Sequence, residues 1–496
     1  MSEIICPYCC KRFQPTRMVF RLQHTLKETA ARDAEDKSDE LFRFTNRTVD
    51  EIIDEELKKY YMETESMPEQ TARQQATVNA EAVEIKFADM MGDISDYDEE
   101  MYRQNKFVLE LTYKGQKLTQ RLCPFCHNEL IPNAGLYDMK IIAMYGDTNA
   151  GKTVYLNILE AALGGNPRLN AQTGAFSGSM FYEGNDEELT EHDKNFRLLI
   201  HDHKLPPATP SGTVVKPQTF RYCYTTGDNP RMNKTVLVVF RDIPGEDTRS
   251  AGKMKQYSFY LQNADGLILL LDTTRLTQVA PYLGTEDEET NVSLTIGRLS
   301  NLLARVNRGS KIGIPTAVVL AKADVLAEVP LDEIRTLYDG ILASDNKHTS
   351  YLDRRVVKDL DKSVREILKS LNESTTVLNP IGNSFSEYSY FALSALGEIP
   401  TTVNGEQQVQ GLKPFRVTEP FYWLLARMNC IPYLHEEKWQ CRKGAKIVNE
   451  AAIRFYYYEG ERNGGAQSRL QNQKNSQGIK DGFRTKWVCV GQNDSI

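Results

Sequence analysis

No apolar run in this chain approaches the roughly 20 residues that a membrane-crossing helix needs, so no membrane span is expected. The start, Met1-Ser2-Glu3-Ile4-Ile5-Cys6, lacks the basic-then-apolar pattern of a secretory signal. A basic excess is also missing: 60 Lys and Arg stand against 67 Asp and Glu, a net charge of −7. That balance argues against non-specific coating of nucleic acid, and no clear nucleic-acid signature appears elsewhere. Nor is there an even set of cysteines to pair. Nine are present, and they include two Cys-x-x-Cys pairs. In a large chain without a signal this favours reduced thiols and metal over disulfides, and a cytoplasmic location is expected. What remains is ordinary: 41% hydrophobic and 26% charged residues over 496 positions. That is enough for two or three domains and at least one large core.

The most informative stretch is 138–154. An apolar run at 141–145 reads as a buried strand and ends at Gly146. Gly146-Asp147-Thr148-Asn149-Ala150-Gly151-Lys152-Thr153 follows, the full Gly-x-x-x-x-Gly-Lys-Thr pattern of a phosphate-binding loop. The glycines let the backbone turn tightly and approach an anion. The loop N–H groups and the start of a helix at 154–163 then face phosphate oxygens. Lys152 can reach the β- and γ-phosphates, and Thr153 can ligate Mg²⁺. The alternative is a glycine turn that happens to precede Lys-Thr.

Two short motifs share another pattern. Cys6-Pro7-Tyr8-Cys9 and Cys123-Pro124-Phe125-Cys126 are both Cys-Pro-aromatic-Cys. Each resembles a zinc knuckle, and four thiolates make a closed tetrahedral Zn²⁺ site. The separation far exceeds ordinary ribbon spacing, so a single ribbon must be split by an insertion. Strand-like stretches at 18–22 and 107–113 can form its sheet. Two half-sites, or a redox Cys-x-x-Cys, are the alternatives. Cys10 and His127 lie beside the knuckles, and either can substitute as a ligand. Between the knuckles the chain is charged. Val49, Ile52, Ile53 and Leu57 fit one face of a helix at 48–59. Such a region is either a solvated face or a helical arm that binds a partner.

Downstream, 187–203 reads as helical and 205–213 as a Pro/Gly/Ser/Thr loop. In nucleotide switches a threonine from such a loop closes on Mg²⁺ and the γ-phosphate. Thr209 is the first candidate and Thr213 the second. Strands are expected at 219–225 and 235–240, with Asn229-Pro230 in the turn between them. The second runs into Asp242-Ile243-Pro244-Gly245-Glu246. Asp242 can support Mg²⁺ through water, and the Gly245 N–H can sense the γ-phosphate. Another buried strand is expected at 264–272. A helix at 293–306 should bury Leu294, Ile296, Leu299, Leu302 and Leu303. A strand at 315–320 ends in Ala321-Lys322-Ala323-Asp324. The Asp324 carboxylate can accept both guanine N–H donors while the Lys322 stem covers the base. Adenine presents a different edge, so Asp324 selects GTP. After a strand at 390–393, Ser394-Ala395 can offer a backbone N–H to the guanine carbonyl.

In this order, the segments 146–153, 242–245, 322–324 and 394–395 resemble the translation-factor-related (TRAFAC) class of P-loop GTPases. The resemblance implies an α/β fold, with a Ras-like sheet flanked by helices over roughly 136–430. The long polar insert before Thr209, the Asp-Ile-Pro-Gly-Glu run and the fused knuckle resemble the bacterial double-GTPase type 2 families. That likeness implies a partner GTPase in a multi-gene conflict or defence system. Two residues depart from the pattern. Ala321 stands where Asn or Thr is usual, losing a brace between the phosphate loop and guanine. Glu246 stands where Ras-like proteins carry a water-orienting Gln. Its charge near the γ-phosphate implies slow turnover, near ~10⁻⁴–10⁻² s⁻¹.

The expected layout is a first half-ribbon at 1–22, a charged and partly helical insertion at 23–117, and a second half-ribbon at 118–134. The GTPase domain follows at 135–432, then an extension and disordered tail at 433–496. A last helix is expected at 414–428, with Phe421 and Trp423 in the core. A frayed end or a short docking motif is expected at 487–490. The functional expectation is a GTP/GDP switch with Lys152, Thr209, Gly245 and Glu246 at the γ-phosphate. Thr153, Thr209 and Asp242 would serve Mg²⁺, and Cys6, Cys9, Cys123 and Cys126 would hold Zn²⁺. The alternatives are a zinc-anchored scaffold that binds nucleotide without turnover, and a P-loop ATPase. Equal partner capture with GDP and a GTP analogue would favour the scaffold. Asp324 argues against the ATPase.

Overall fold

A computed structural model describes residues 3–23, 52–78, 80–84, 111–113, 116–147, 150–164, 169, 178–184, 186–206, 216–225, 233–244, 251–285, 292–307, 311–344, 352–403, 405–431, 433–434, 438–441, 447–449 and 487–489. Its centre is a seven-stranded sheet. The strands are β1 (Asp138–Gly146), β2 (Gly178–Glu183), β3 (Gln218–Thr225), β4 (Asn233–Pro244), β5 (Gly266–Asp272), β6 (Thr316–Ala321) and β7 (Tyr388–Ala392). Their spatial order is β2-β3-β4-β1-β5-β6-β7. From β4 through β7 every neighbouring pair is parallel, while β3 runs antiparallel to both β2 and β4.

Strand composition explains the layering. Successive side chains on a strand point to opposite faces. Every residue of Gly-Leu-Ile-Leu-Leu-Leu-Asp in β5 and of Thr-Ala-Val-Val-Leu-Ala in β6 is buried. Both faces of the sheet centre are therefore covered, which is why these strands read as continuous apolar runs. The main covering helices are α1 (Lys152–Leu163), α2 (Asp186–Ile200), α3 (Ala251–Asn263), α4 (Val292–Asn307), α5 (Asp332–Ala343), α6 (Arg354–Ser370) and α7 (Glu419–Arg427). Phe421 and Trp423 of α7 are buried as expected.

Several expectations need correction. Helix α7 begins at Glu419, not at 414, because the Phe415 backbone exchanges hydrogen bonds with Ser394. In α4, Leu294 is 39% exposed while Ile296, Leu299, Leu302 and Leu303 are buried. Ile52–Ile53 is a strand paired with Thr77–Val78, not part of a helix. Asp54 then caps helix Glu55–Glu63 by accepting from the Leu57 N–H at 3.1 Å. A side-chain cap of this kind starts a helix and stops it from extending backward. Of the expected 107–113 strand, Leu111–Tyr113 forms a hairpin with Gln116–Leu118, while 107–110 lie outside the described residues. Val19–Gln23 does form a sheet, between Ala80–Glu84 and Arg121–Leu122. Near the end, Trp487–Cys489 pairs with Lys438–Cys441 and is not frayed. The expected turn at Asn229-Pro230 lies outside the described residues, as does Val49.

The two knuckles are built alike. In the first, Cys6 N–H donates to the Lys11 carbonyl and Cys10 N–H to the Cys6 carbonyl, at 3.0 and 2.9 Å. In the second, Cys123 N–H donates to Asn128 and His127 N–H to Cys123, both at 3.0 Å. Cys10 and His127 occupy the same left-handed position, with φ of 56° and 52°. One continuous hydrophobic core runs from the knuckles into the large sheet.

Candidate nucleotide site and cysteine cluster

The parallel strands deliver their carboxyl ends to one edge of the sheet, where ligands of open α/β sheets bind. Gly146 ends β1, Asp242 lies near the end of β4, Asp272 ends β5 and Ala321 ends β6. Ser394 follows β7. The register pairs Met144 with Asp242 and Asp272 with Ala321. Strand β6 lies two strands from β1, about 10 Å at ordinary strand spacing.

Each loop glycine has a distinct reason. A Cβ on Gly146 would lie 2.9 Å from the Leu270 carbonyl oxygen, so β5 leaves no room for one. Gly151 has open space but sits at φ +87°, where L residues are strained. Directly after it, Lys152 opens α1. Its Nζ donates to the Gly146 carbonyl at 2.6 Å and the Asp147 carbonyl at 3.3 Å. It also lies 3.5 Å from Asp242 Oδ1. The lysine of one motif thus meets the aspartate of another across two neighbouring strands. Thr153 is partly buried at the second position of α1, and Ala150 is buried. Thr148, Asn149, Thr209, Thr213, Gly245 and Glu246 lie outside the described residues.

At the other end, the two segments expected to read guanine touch. Ser394 hydrogen-bonds the Asp324 side chain. The Ala323 N–H donates to the Leu393 carbonyl at 3.0 Å. Burial pushes the Asp324 carboxyl above its ordinary pKa, and the Ser394 bond only partly offsets this. Ser394 Oγ also accepts from the Gly397 N–H at 2.8 Å. Ala395 packs against the core. Lys322 is left-handed at φ 56°, and its Nζ donates to Asp272 Oδ2 at 2.8 Å. That bond ties the segment after β6 to the end of β5.

Over residues 140–373 the chain matches the family model described as Double-GTPase 2. This region is similar to Double-GTPase 2 domains. No curated protein matches the chain. Solved structures that resemble it are distant. The signal recognition particle receptor SRb-GTP/SRX complex from Chaetomium thermophilum is 15% identical, covering 53% of this chain and 93% of that one, with a TM-score of 0.25. The Arl6 BBS3 small GTPase from Trypanosoma brucei, with a bound nucleotide analogue, is 14% identical over 59% of this chain and 98% of that one, with a TM-score of 0.24.

The seven-stranded sheet flanked by helices is that of a Ras-like P-loop GTPase. Parts of its site were not foreseen. Asp147 is buried, and its carboxylate accepts from the Thr295 hydroxyl. Arg298 Nη1 lies 3.5 Å from its other oxygen. Thr295 and Arg298 share one face of α4, three residues apart. Thr273 Oγ1 donates to the Ala321 carbonyl at 2.6 Å, bracing the segment where the usual side-chain brace is missing. Asp147 was expected in the phosphate loop, but its contacts with Thr295 and Arg298 were not; only the polar residues on an otherwise apolar α4 face could have pointed to them.

Beside the domain, the Sγ atoms of Cys6, Cys9, Cys123 and Cys126 all lie within 4.8 Å of one another. Cys6 and Cys126 are 3.6 Å apart, as are Cys9 and Cys123. A tetrahedron with Zn–S bonds of about 2.3 Å has edges of about 3.8 Å, so the set fits Zn²⁺. The two Cys-x-x-Cys pairs therefore form one cluster, not two half-sites. His127 is instead engaged by Asp54, at 2.8 and 3.0 Å. Cys10 stays outside the cluster, and burial pushes its thiol up to about 11. No helix among the described residues is long and apolar enough to cross a membrane.

Proposed function

We propose that this chain is a guanine-nucleotide switch that hydrolyses GTP slowly. The observation that carries the reading is the meeting of Lys152 with Asp242 at one end of the sheet edge and of Asp324 with Ser394 at the other. Lys152 and the N–H groups of 146–153 would hold the β- and γ-phosphates. On nucleotide entry its ammonium would exchange the Gly146 and Asp147 carbonyls for phosphate oxygens. Thr153 and a switch threonine, Thr209 or Thr213, would ligate Mg²⁺, with Asp242 supporting it through water. Mg²⁺ supplies charge neutralisation on the phosphates. Asp324 would accept the guanine N–H donors, with Lys322 along the base and Ser394-Ala395 at its carbonyl.

Gly245 would sense the γ-phosphate, and Glu246 would keep turnover slow. The four cysteines would hold a structural Zn²⁺ at a split ribbon, 1–22 with 118–134, interrupted by the 23–117 insertion. The GTPase domain would span 135–432 and the extension 433–496. A protein partner, itself a GTPase in a bacterial conflict or defence system, fits the family resemblance.

Lys152→Ala tests the reading. It should abolish binding of a labelled GTP analogue in equilibrium dialysis, while metal analysis still finds one zinc per chain. Undiminished nucleotide binding by that variant would remove the proposed phosphate site.

A further inference from the structure

Arg241 precedes Asp242 on β4, so its side chain leaves the opposite face of the strand. It is 1% exposed. Its guanidinium points into the first knuckle. Nε donates to the Pro7 carbonyl at 3.1 Å and Nη2 to the Tyr8 carbonyl at 2.6 Å. Pro7 and Tyr8 are the residues between Cys6 and Cys9. The guanidinium also stacks 4.2 Å from the Tyr260 ring centroid and lies 5.9 Å from that of Tyr8.

A second contact set closes around the same point. Glu65, 2% exposed, accepts from Tyr260 at 2.6 Å, from Gln256 at 2.6 Å, and from Tyr60. Gln256 and Tyr260 lie on α3, which begins at Ala251, nine residues after Asp242. Tyr60 lies on helix Glu55–Glu63 of the insertion. The start of that helix is tied to the second knuckle: Asp54 binds His127, and Arg21 bonds Asp54 at 2.6 Å. Both flanks of the Asp242–Gly245 segment are thus bonded to the cysteine module, β4 through Arg241 and α3 through Glu65.

We propose that the cysteine cluster is a regulatory input to the nucleotide switch, with Arg241 as the positioning residue that couples them. This rests on the guanine-nucleotide and zinc readings above. A knuckle closed by metal fixes the Pro7 and Tyr8 carbonyls. They fix Arg241, and through the strand the placement of Asp242 beside Lys152. An open knuckle frees that end of β4. Mg²⁺ and γ-phosphate act on the same strand end from the other side. Coupling between two sites is reciprocal, so each ligand must change the other's affinity by the same factor.

The test uses the full chain. Zinc affinity is measured by chelator competition with saturating Mg²⁺-GDP, and again with a Mg²⁺-bound non-hydrolysable GTP analogue. The expected result is zinc held about fivefold or more tightly in one nucleotide state, the low end of typical allosteric coupling. Analogue affinity in zinc-loaded and zinc-stripped chain should differ by the same factor relative to GDP. Arg241→Met and Glu65→Gln should each bring the factor toward one, with both ligands still bound. Equal zinc affinity in the two nucleotide states of the unmodified chain would overturn the proposal while leaving the nucleotide reading intact. Failure to bind guanine nucleotide at all would overturn both, and is seen separately in the same titrations. A persisting factor in both variants would overturn the role of Arg241. If Arg241→Met does not fold, the unmodified chain still decides whether coupling exists, and Glu65→Gln decides the route.

Discussion

Asp324, the residue proposed to read guanine, also carries a pH signature. Burial raises its pKa above the ordinary 3.8. Folding therefore favours its protonated form, and its contribution to stability falls as pH rises from 3.8 through the folded value. The proposed guanine contact makes the opposite demand, because guanine N–H donors would need the ionised carboxylate. Guanine-nucleotide affinity should therefore drop by up to about tenfold per pH unit once pH falls below the raised pKa. The drop should begin at higher pH than for an ordinary aspartate. Fluorescent-GDP titrations across pH 4 to 8 check this, and Asp324→Asn should flatten the profile. The residues proposed for this chemistry stood out in the sequence because their motifs follow apolar runs: Gly146 and Asp242 lie at strand ends, Lys152 opens α1, and Asp324 lies just past β6. Arg241 and Glu65 were not legible, because a buried charge facing another segment leaves no local pattern.

Helix α4 shows what periodicity can and cannot deliver. Its apolar repeat located the helix correctly, yet Leu294 faces solvent while Thr295 turns inward to Asp147. A hydrophobicity pattern cannot tell an outward leucine from an inward threonine that has found a carboxylate. The contrast makes a stability prediction. Leu302→Ala, at 0% exposure, should destabilise the fold by about 2–5 kcal/mol in urea unfolding. Leu294→Ala should change stability by no more than about 0.5 kcal/mol. A comparable loss at both positions would contradict the packing described. The 48–59 stretch teaches the same lesson. Four apolar residues matched a helical face, but Asp54 capped the helix in mid-pattern and left Ile52–Ile53 to pair as a strand. Periodicity located the element; local capping chemistry set its boundary.

At the scale of the molecule, the sheet brings segments far apart in sequence to one edge, and the cysteine module grips that sheet through Arg241 of β4. Strands β1 and β3 to β7 followed from apolar runs alternating with helices, whereas the edge strand β2 (Gly178–Glu183) and the strand order did not. The link between the two knuckles followed from their shared Cys-Pro-aromatic-Cys pattern. How the module docks on β4 and α3 did not, since docking depends on interfaces between distant segments. The central claim is that this sheet edge binds guanine nucleotide. Nucleotide competition on the purified full chain with Mg²⁺ tests it most directly. GTP and GDP should displace a fluorescent guanine nucleotide and ATP should not, while Asp324→Asn should shift preference to xanthine nucleotide. Equal displacement by ATP and GTP, or an Asp324→Asn variant with unchanged guanine preference, would contradict it.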